Sequence, residues 1–481
     1  MSIKKNFIYN TILKLSTILF PLIIFPYVSR TIGADGIGKV SFATSVISYY
    51  EILAQLGVQT YGIRECAQAR DDKQELSKRV QELLIINLIT SAITYAVLAV
   101  SIIFVGKFQQ NAILIIITSL QIFFNTIGVV WLFSGLEQYR YITLRSVVFK
   151  FISLILILLF VKKPEDYIEY GAILTFATVG SNVLNFFYSR KFVSYHRQCK
   201  YNLKRHLKPL FTFMLMSVAT TVYTSLDTVM LGFMTNDSEV GYYNAAIKVR
   251  SVLLGIVNSL AVVLLPRASY YIEKKEYQEF ISISRKAFNF VIVIGSSFWI
   301  YFSLFSKESI LVLSGKGFLP AVSAMLCVMP TVLICGISNL TAIQMLVSLG
   351  KEKPVMYTQI VGAVIDLVLN SIFIPMYGAP AAAISTTIAE FVIMILQIKE
   401  LHKLDITISN TTSFVKIIVA NAFSAAISML VKTLYINSLM TLIISAIVYF
   451  ASYIFILYLM KENIAVMVIE WVTTVLRKKQ K

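Results

Sequence analysis

The sequence predicts an all-α polytopic membrane protein of about 14 transmembrane helices, built as two six-helix lobes related by a parallel pseudo-two-fold repeat plus two C-terminal helices. Three observations predict it. Of 481 residues, 57% are apolar and only 14% charged, where a soluble domain carries roughly a quarter charged residues. Apolar windows of about 20 residues, long enough to cross a hydrocarbon core, recur along the chain. With the N-terminus inside, the cytoplasmic connections hold about 30 Lys and Arg and the opposite ones about 8, the asymmetry that orients membrane proteins. The net charge of +18 is therefore topological, and both termini are expected in the cytoplasm.

The windows fall near 9–28, 40–57, 83–104, 112–133, 142–161, 168–188, 210–231, 244–265, 288–306, 320–347, 355–375, 379–397, 413–431 and 438–460. The opening MSIKKNFIYN is basic like a signal region. Pro21 and Pro26 interrupt the apolar stretch after it, and no small-residue cleavage site ends that stretch, so an uncleaved first span is expected. Between the first two windows lies PYVSRTIGADGIGKVSFA, residues 26–43. Its glycines do not have the dinucleotide spacing and no strand precedes them, so they read as a tight corner between helices. Residues 189–208 carry seven Lys or Arg and no acid and read as a cytoplasmic linker between halves. A nucleic-acid surface would need a folded basic domain with stacking aromatics, and no stretch is long enough to supply one. The tail NIAVMVIEWVTTVLRKKQK reads as an interfacial amphipathic helix.

The corner has an echo. MLGFMTNDSEVGYYNAA, residues 230–246, repeats its pattern: Gly33, Gly38 and Ala43 match Gly232, Gly241 and Ala246. Gly135-Leu136-Glu137 leading to Tyr170-Gly171-Ala172 is likewise matched by Gly350-Lys351-Glu352 leading to Tyr377-Gly378-Ala379. An offset of six spans means that both halves enter the membrane in the same direction, around an axis along its normal, with a cavity at their interface. The expected organisation is a lobe with its linker over 1–208, a second lobe over 209–405, and the extra helices and tail over 406–481.

Charges inside the spans are expensive, about 2.5–3.5 kcal/mol each near a helix centre, and mark function unless they snorkel or pair. The candidate cationic cavity set is Lys14, Arg30, Lys150, Lys248 and Arg250. The acids are Glu51, Asp227, Asp366 and Glu390, for ion coupling by H+ or Na+ or for structural hydrogen bonding. Lys14 and Lys416 are close enough to their span ends to snorkel. Arg30 reads as an interfacial anchor or a cavity residue. Lys150 lies about eight residues, roughly 12 Å, into its span, too deep for a simple interfacial role. Asp227 and Lys248 fall at similar depth across a hairpin and are expected to pair. Five cations against four acids tilt weakly towards an anionic substrate.

No enzyme is indicated. Asp71-Asp72 is an adjacent acidic pair in a loop and reads as a helix start, and His196, His206 and His402 all fall in cytoplasmic connections without a nucleophile pattern. Cys66, Cys199, Cys327 and Cys335 form no C-x-x-C pair, so neither a disulfide framework, a metal site nor any other cofactor is expected.

In its motifs the chain resembles a Wzx-type polysaccharide repeat-unit flippase of the multidrug/oligosaccharidyl-lipid/polysaccharide exporter superfamily. The resemblance is carried by PYVSRTIGADGIG, by LGVQTYGIRECAQAR from Leu56 to Arg70, by Asp227 with VGYYNAA, and by LGKEKPVM followed by Asn370, Pro375 and YGAPAAA. Pro380 stands where the family usually has glycine, a departure that bears on local helix geometry. The resemblance implies a V-shaped transporter in the bacterial plasma membrane, moving an undecaprenyl-diphosphate-linked oligosaccharide to the outer leaflet. It also implies membrane lipids, a polysaccharide polymerase and chain-length machinery as partners, and no nucleic acid. A cation or drug antiporter of the same superfamily and a lipid-linked peptidoglycan-precursor flippase are the alternative readings.

Overall fold

The computed structural model describes residues 3–196, 201–404, 406, 411–434, 437–462 and 465–466. The tail expected as an interfacial helix lies outside the described residues except for Ala465 and Val466. Among the described residues the chain is helical without strands, in two compact units, 1–244 and 245–481.

In the first unit α1 (Ile3–Gln55) consists of two helical segments joined at Gly33, whose φ of 69° and ψ of −176° only glycine adopts readily. It is followed by α2 (Val58–Gln68), α3 (Lys73–Phe104), α4 (Gly106–Gln110), α5 (Ala112–Gly128) and α6 (Val130–Gly135). Then come α7 (Tyr139–Phe160), α8 (Tyr167–Thr175), α9 (Asn182–Ser189) and α10 (Lys204–Met234). Helix α11 (Asp237–Glu273) begins in this unit and ends in the second. Asp72, read from sequence as a helix start, caps α3 by accepting from the backbone N–H groups of Gln74 (2.8 Å) and Glu75 (3.2 Å). Trp131, Leu132 and Phe133 of α6 are buried among Tyr61, Leu83 and Ile86 and anchor the core at the linker end of the spans.

The two glycine corners meet. A Cβ on Gly38 would fall 1.6 Å from the Asp237 carbonyl oxygen, and one on Gly241 would fall 2.1 Å from that of Ala34. Glycine is needed there because two backbones touch. Phe42, Phe108 and Phe233 cluster beside them, and Lys107 Nζ pairs with Asp237 at 2.7 Å.

At the linker end, Glu82 is fully buried and its carboxylate is met by three donors. The Asn202 N–H (2.7 Å), Arg205 Nη2 (2.6 Å) and His206 Nε2 (2.9 Å) all reach it, as a buried carboxylate requires. His206 Nδ1 lies 2.9 Å from the Tyr61 hydroxyl, which burial pushes up to about 12. The imidazole thus bridges the Tyr61 hydroxyl and the Glu82 carboxylate. The linker is thus fastened to α2 and α3.

The second unit holds the rest of α11, then α12 (Tyr277–Leu304), α13 (Ser306–Leu313), α14 (Ala321–Val328), α15 (Thr331–Asn339) and a π-helical segment over Leu340–Val347. It continues with α16 (Glu352–Tyr377), α17 (Ala379–His402), α18 (Thr411–Met429) and α19 (Ser438–Leu459). Pro380 sits in the first turn of α17, after Gly378 at φ 61°, where its missing N–H costs nothing. The departure from the family pattern is therefore accommodated. The last two helices dock on α12 through polar contacts: Tyr449 OH donates to Asn421 (2.6 Å), Asn421 to Ser296 (3.2 Å), and Tyr453 OH to the Val293 carbonyl (3.0 Å).

Among the described residues nine helices are long and apolar enough to cross a membrane. The first two windows share α1, and helix covers the other windows with breaks. The window at 112–133 is interrupted at Val129, a non-glycine residue at φ 36°, and that at 168–188 by a π segment, Phe176–Gly180. The offset that carries Gly135 onto Gly350 carries Val129 onto Gln344, inside the π segment of the second unit. Regular helix is lost at matching places in the repeat. Such breaks free backbone groups and often mark functional sites.

Candidate functional site

Within the first unit, irregular geometry and buried polarity coincide. Glu51 of α1 accepts from the Asn125 side chain of α5, whose Oδ1 accepts from Asn182 Nδ2 at 2.8 Å. Asn182 Oδ1 accepts in turn from Arg145 Nη1 at 3.2 Å and from Asn185 at 3.3 Å, and the guanidinium also reaches the Ser181 carbonyl at 3.3 Å. The result is a relay of acid, amide, amide and guanidinium across α1, α5, α9 and α7. Gly128 makes room for it, since a Cβ there would lie 2.6 Å from Asn182 Cβ and Cγ. The π segment directly precedes Asn182 and sets its entry.

Within the second unit the acid and the base meet. Arg250 Nη2 of α11 lies 3.6 Å from Glu390 Oε1 of α17, with the two side chains 15% and 4% exposed. The guanidinium also donates to Thr331 Oγ1 (2.6 Å) and Cys335 Sγ (3.1 Å) on α15. On α16, Asp366 and Asn370 are buried one turn apart. A further chain, Thr341 to Gln397 (2.8 Å) and Gln397 to Thr358 (3.4 Å), joins the π segment to α17 and α16.

The remaining sequence candidates each have surroundings of their own. Lys150 Nζ donates to Ser16 Oγ (3.0 Å) and Thr17 Oγ1 (3.2 Å) of α1, so its burial is met by hydroxyls. Arg30 is exposed and its Nη1 donates to the Pro26 carbonyl. Asp227 is buried and accepts from the Tyr243 hydroxyl, both within the first unit, while Lys248 is half-buried in the second. The Lys14 side chain lies outside the described residues. Lys416 Nζ reaches the Lys461 carbonyl at 3.3 Å. Among the described residues no group of three or more His, Cys, Asp or Glu converges as a metal would need.

Sequence reasoning missed Arg145, Asn125 and Asn182. Arg145 had a visible signal, a guanidinium four residues into an apolar window beginning near 142. The amides had none, because an uncharged polar residue in a span is ordinary until its partners are seen.

Buried, hydrogen-bonded polar groups on long apolar helices, with glycine corners that recur along the sequence, define a polytopic membrane transport protein. The model of the family described as "Polysaccharide biosynthesis protein" matches residues 3–271, and the chain belongs to that family. The MatE family model matches residues 213–372. The chain is similar to proteins named "Putative O-antigen transporter". That of Escherichia coli (strain K12) is 23% identical over 400 residues, covering 83% of this chain and 96% of the relative. That of Shigella dysenteriae is 26% identical over 411 residues, covering 82% and 99%. Among solved structures, "Lipid II flippase MurJ, inward closed conformation" aligns with a TM-score of 0.77 at 15% identity, covering 95% of this chain and 99% of that one. A MATE structure in complex with MaD3S aligns at 0.53 with 13% identity, covering 83% and 97%. At these identities the structural likeness concerns the fold.

Proposed function

We infer that the protein is a flippase for lipid-linked polysaccharide units, carrying an undecaprenyl-diphosphate-linked oligosaccharide from the inner to the outer leaflet of a bacterial plasma membrane. The observation that carries this reading is the polysaccharide-family match over residues 3–271, with O-antigen transporters aligning over four-fifths of the chain. Physical need points the same way. A diphosphate and a sugar head cannot cross hydrocarbon unaided, because each unpaired polar group costs several kcal/mol there. Cations held inside the spans lower that barrier while the lipid tail stays in the bilayer. Lys150 and Arg250 are the proposed contacts, since hydroxyls hold the first and a neutral Thr and Cys share the second with Glu390. Arg30, Lys14 and Lys248 complete the proposed cationic set, and the basic loops support a reading with both termini in the cytoplasm.

Neutralising Lys150 or Arg250 should stop surface glycan assembly while lipid-linked units accumulate on the inner leaflet, read by mass spectrometry of extracted intermediates. Normal surface polysaccharide in both Lys150→Ala and the Arg250→Leu, Glu390→Leu double variant, with protein present at wild-type levels, would remove these residues from substrate handling. A second reading, a cation-coupled exporter, is favoured by the MatE match over residues 213–372 and by the carboxylates Glu51, Asp366 and Glu390 inside the spans. Substrate-stimulated H+ or Na+ flux in proteoliposomes is expected under it and not under uncoupled flipping.

A further inference from the structure

A cavity of about 500 Å³ opens at the linker end of the first unit. Its lining includes Lys73 at the start of α3, Arg190 just past α9, and Ser194, Tyr195 and His196 of the linker. The wall is fixed in place. Gln81 of α3 donates to the carbonyls of Ser194 (2.5 Å) and His196 (3.0 Å), and the Ser194 N–H donates to Ser77 Oγ at 2.9 Å.

Charge sets this cavity apart from its surroundings. A few residues along α3, the cations are matched by acids: Arg79 meets Glu65 (3.0 Å) and Glu75 (2.8 Å), and Arg205 meets Glu82 (2.6 Å). Among the described residues neither Lys73 nor Arg190 has a carboxylate within 4 Å. The nearest acids in sequence are engaged elsewhere, Asp72 as the α3 cap and Asp71 beside Arg70 at 3.9 Å. The Arg190 guanidinium stands over the rings of Phe186 (5.3 Å) and Phe187 (5.5 Å), which hold its plane while its N–H fork stays available. Val183, Leu184 and Phe187 expose apolar surface on the same helix, as a lipid-facing helix does. Arg190 follows Phe187 by one turn, so the unmatched cations stand where hydrocarbon gives way to headgroups.

We propose that Lys73, Arg190 and the linker segment Ser194–His196 form a binding site for a phosphate-bearing anion at the membrane surface, filled by the headgroup of an anionic phospholipid. An Arg fork takes two phosphate oxygens at once and a lysine adds a point charge, and a cavity of this size accommodates a small polar headgroup. Occupancy would tie the linker to the bilayer as well as to α3. The site requires only that this end of the spans meets a lipid surface, so it stands whichever substrate is carried.

The test uses the full chain purified in neutral detergent, with binding of phosphatidylglycerol and phosphatidylcholine followed by native mass spectrometry at fixed ionic strength. Phosphatidylglycerol should be preferred, and Lys73→Gln with Arg190→Gln should weaken it at least fivefold. Lys403→Gln, which removes an exposed cation paired with Glu400, should leave it unchanged. The exchange Lys73→Arg with Arg190→Lys should retain most of the preference, separating lost charge from lost folding. Displacement by inorganic phosphate assigns recognition to the phosphate alone, and resistance to it assigns recognition to the headgroup held with its chains. Equal binding of the two lipids, or undiminished phosphatidylglycerol binding by a monodisperse double-glutamine variant, overturns the proposal.

Discussion

Inside the apolar spans the two units hold a buried acid and base in different ways. In the first, Glu51 and Arg145 are separated by two asparagines and each charge is met by amides. In the second, Arg250 and Glu390 approach to 3.6 Å, with Thr331 and Cys335 filling the guanidinium's other sides. A direct pair loses heavily when one partner is removed, because the other charge stays behind in a low-dielectric interior. A relay spreads its charges over groups that tolerate either protonation state, so it can lose a charge and keep its hydrogen bonds. A matching helix break near Val129 and Gln344 thus goes with different ionic chemistry in the two units, which suits a transporter whose halves have different work.

The largest effect expected from breaking this contrast is Arg250→Ala. It strands Glu390 and should cost about 3–5 kcal/mol of stability, measured by thermal unfolding in detergent. Arg250→Leu combined with Glu390→Leu should recover most of that loss, since replacing both partners removes the unpaired charge. A double variant as unstable as Arg250→Ala would mean that the pair is held for something other than mutual neutralisation.

Next comes the room that the relay needs. Gly128→Ala puts a methyl 2.6 Å from Asn182 Cγ and should cost about 1–3 kcal/mol by overpacking, while breaking the Asn125–Asn182 contact. Asn182→Ala alone should cost about 1–3 kcal/mol through the groups left unsatisfied. If the two changes act through the same contact, their combination should be less than additive. Full additivity would show that Gly128 serves helix packing and not Asn182.

The helical class and the glycine corner were legible because each rests on a local pattern: apolar length and glycine spacing. Helix runs through the apolar windows, with breaks at Val129, at Met329–Pro330 and in the π segments, and the Gly33 corner is a break inside α1, as its glycines suggested. The site was legible only where charge advertised it. Arg250 and Glu390 stood out as ions in apolar helices, but their pairing depends on how α11 crosses α17, which no local spacing encodes. Asn125 and Asn182 stayed hidden for the same reason, and so did the role of His206, whose buried partners Tyr61 and Glu82 come from two other helices.

The smallest expected effect is also the sharpest comparison of the two units. Glu51→Gln keeps an acceptor for Asn125 and removes only the charge, so its stability cost should stay near about 1 kcal/mol, the worth of an ordinary hydrogen bond. Glu390→Gln removes the counter-charge of Arg250 and should cost several times more, although Thr331 and Cys335 still accept from the guanidinium. If Glu51 takes part in ion coupling, Glu51→Gln should abolish cation-dependent transport at nearly wild-type stability, whereas Glu390→Gln should lower stability and transport together. Parallel unfolding and proteoliposome flux measurements on the two variants separate these outcomes. Equal stability losses would show that the asparagine relay buffers nothing, because the charge on Glu51 would then matter as much as the one that Arg250 meets directly.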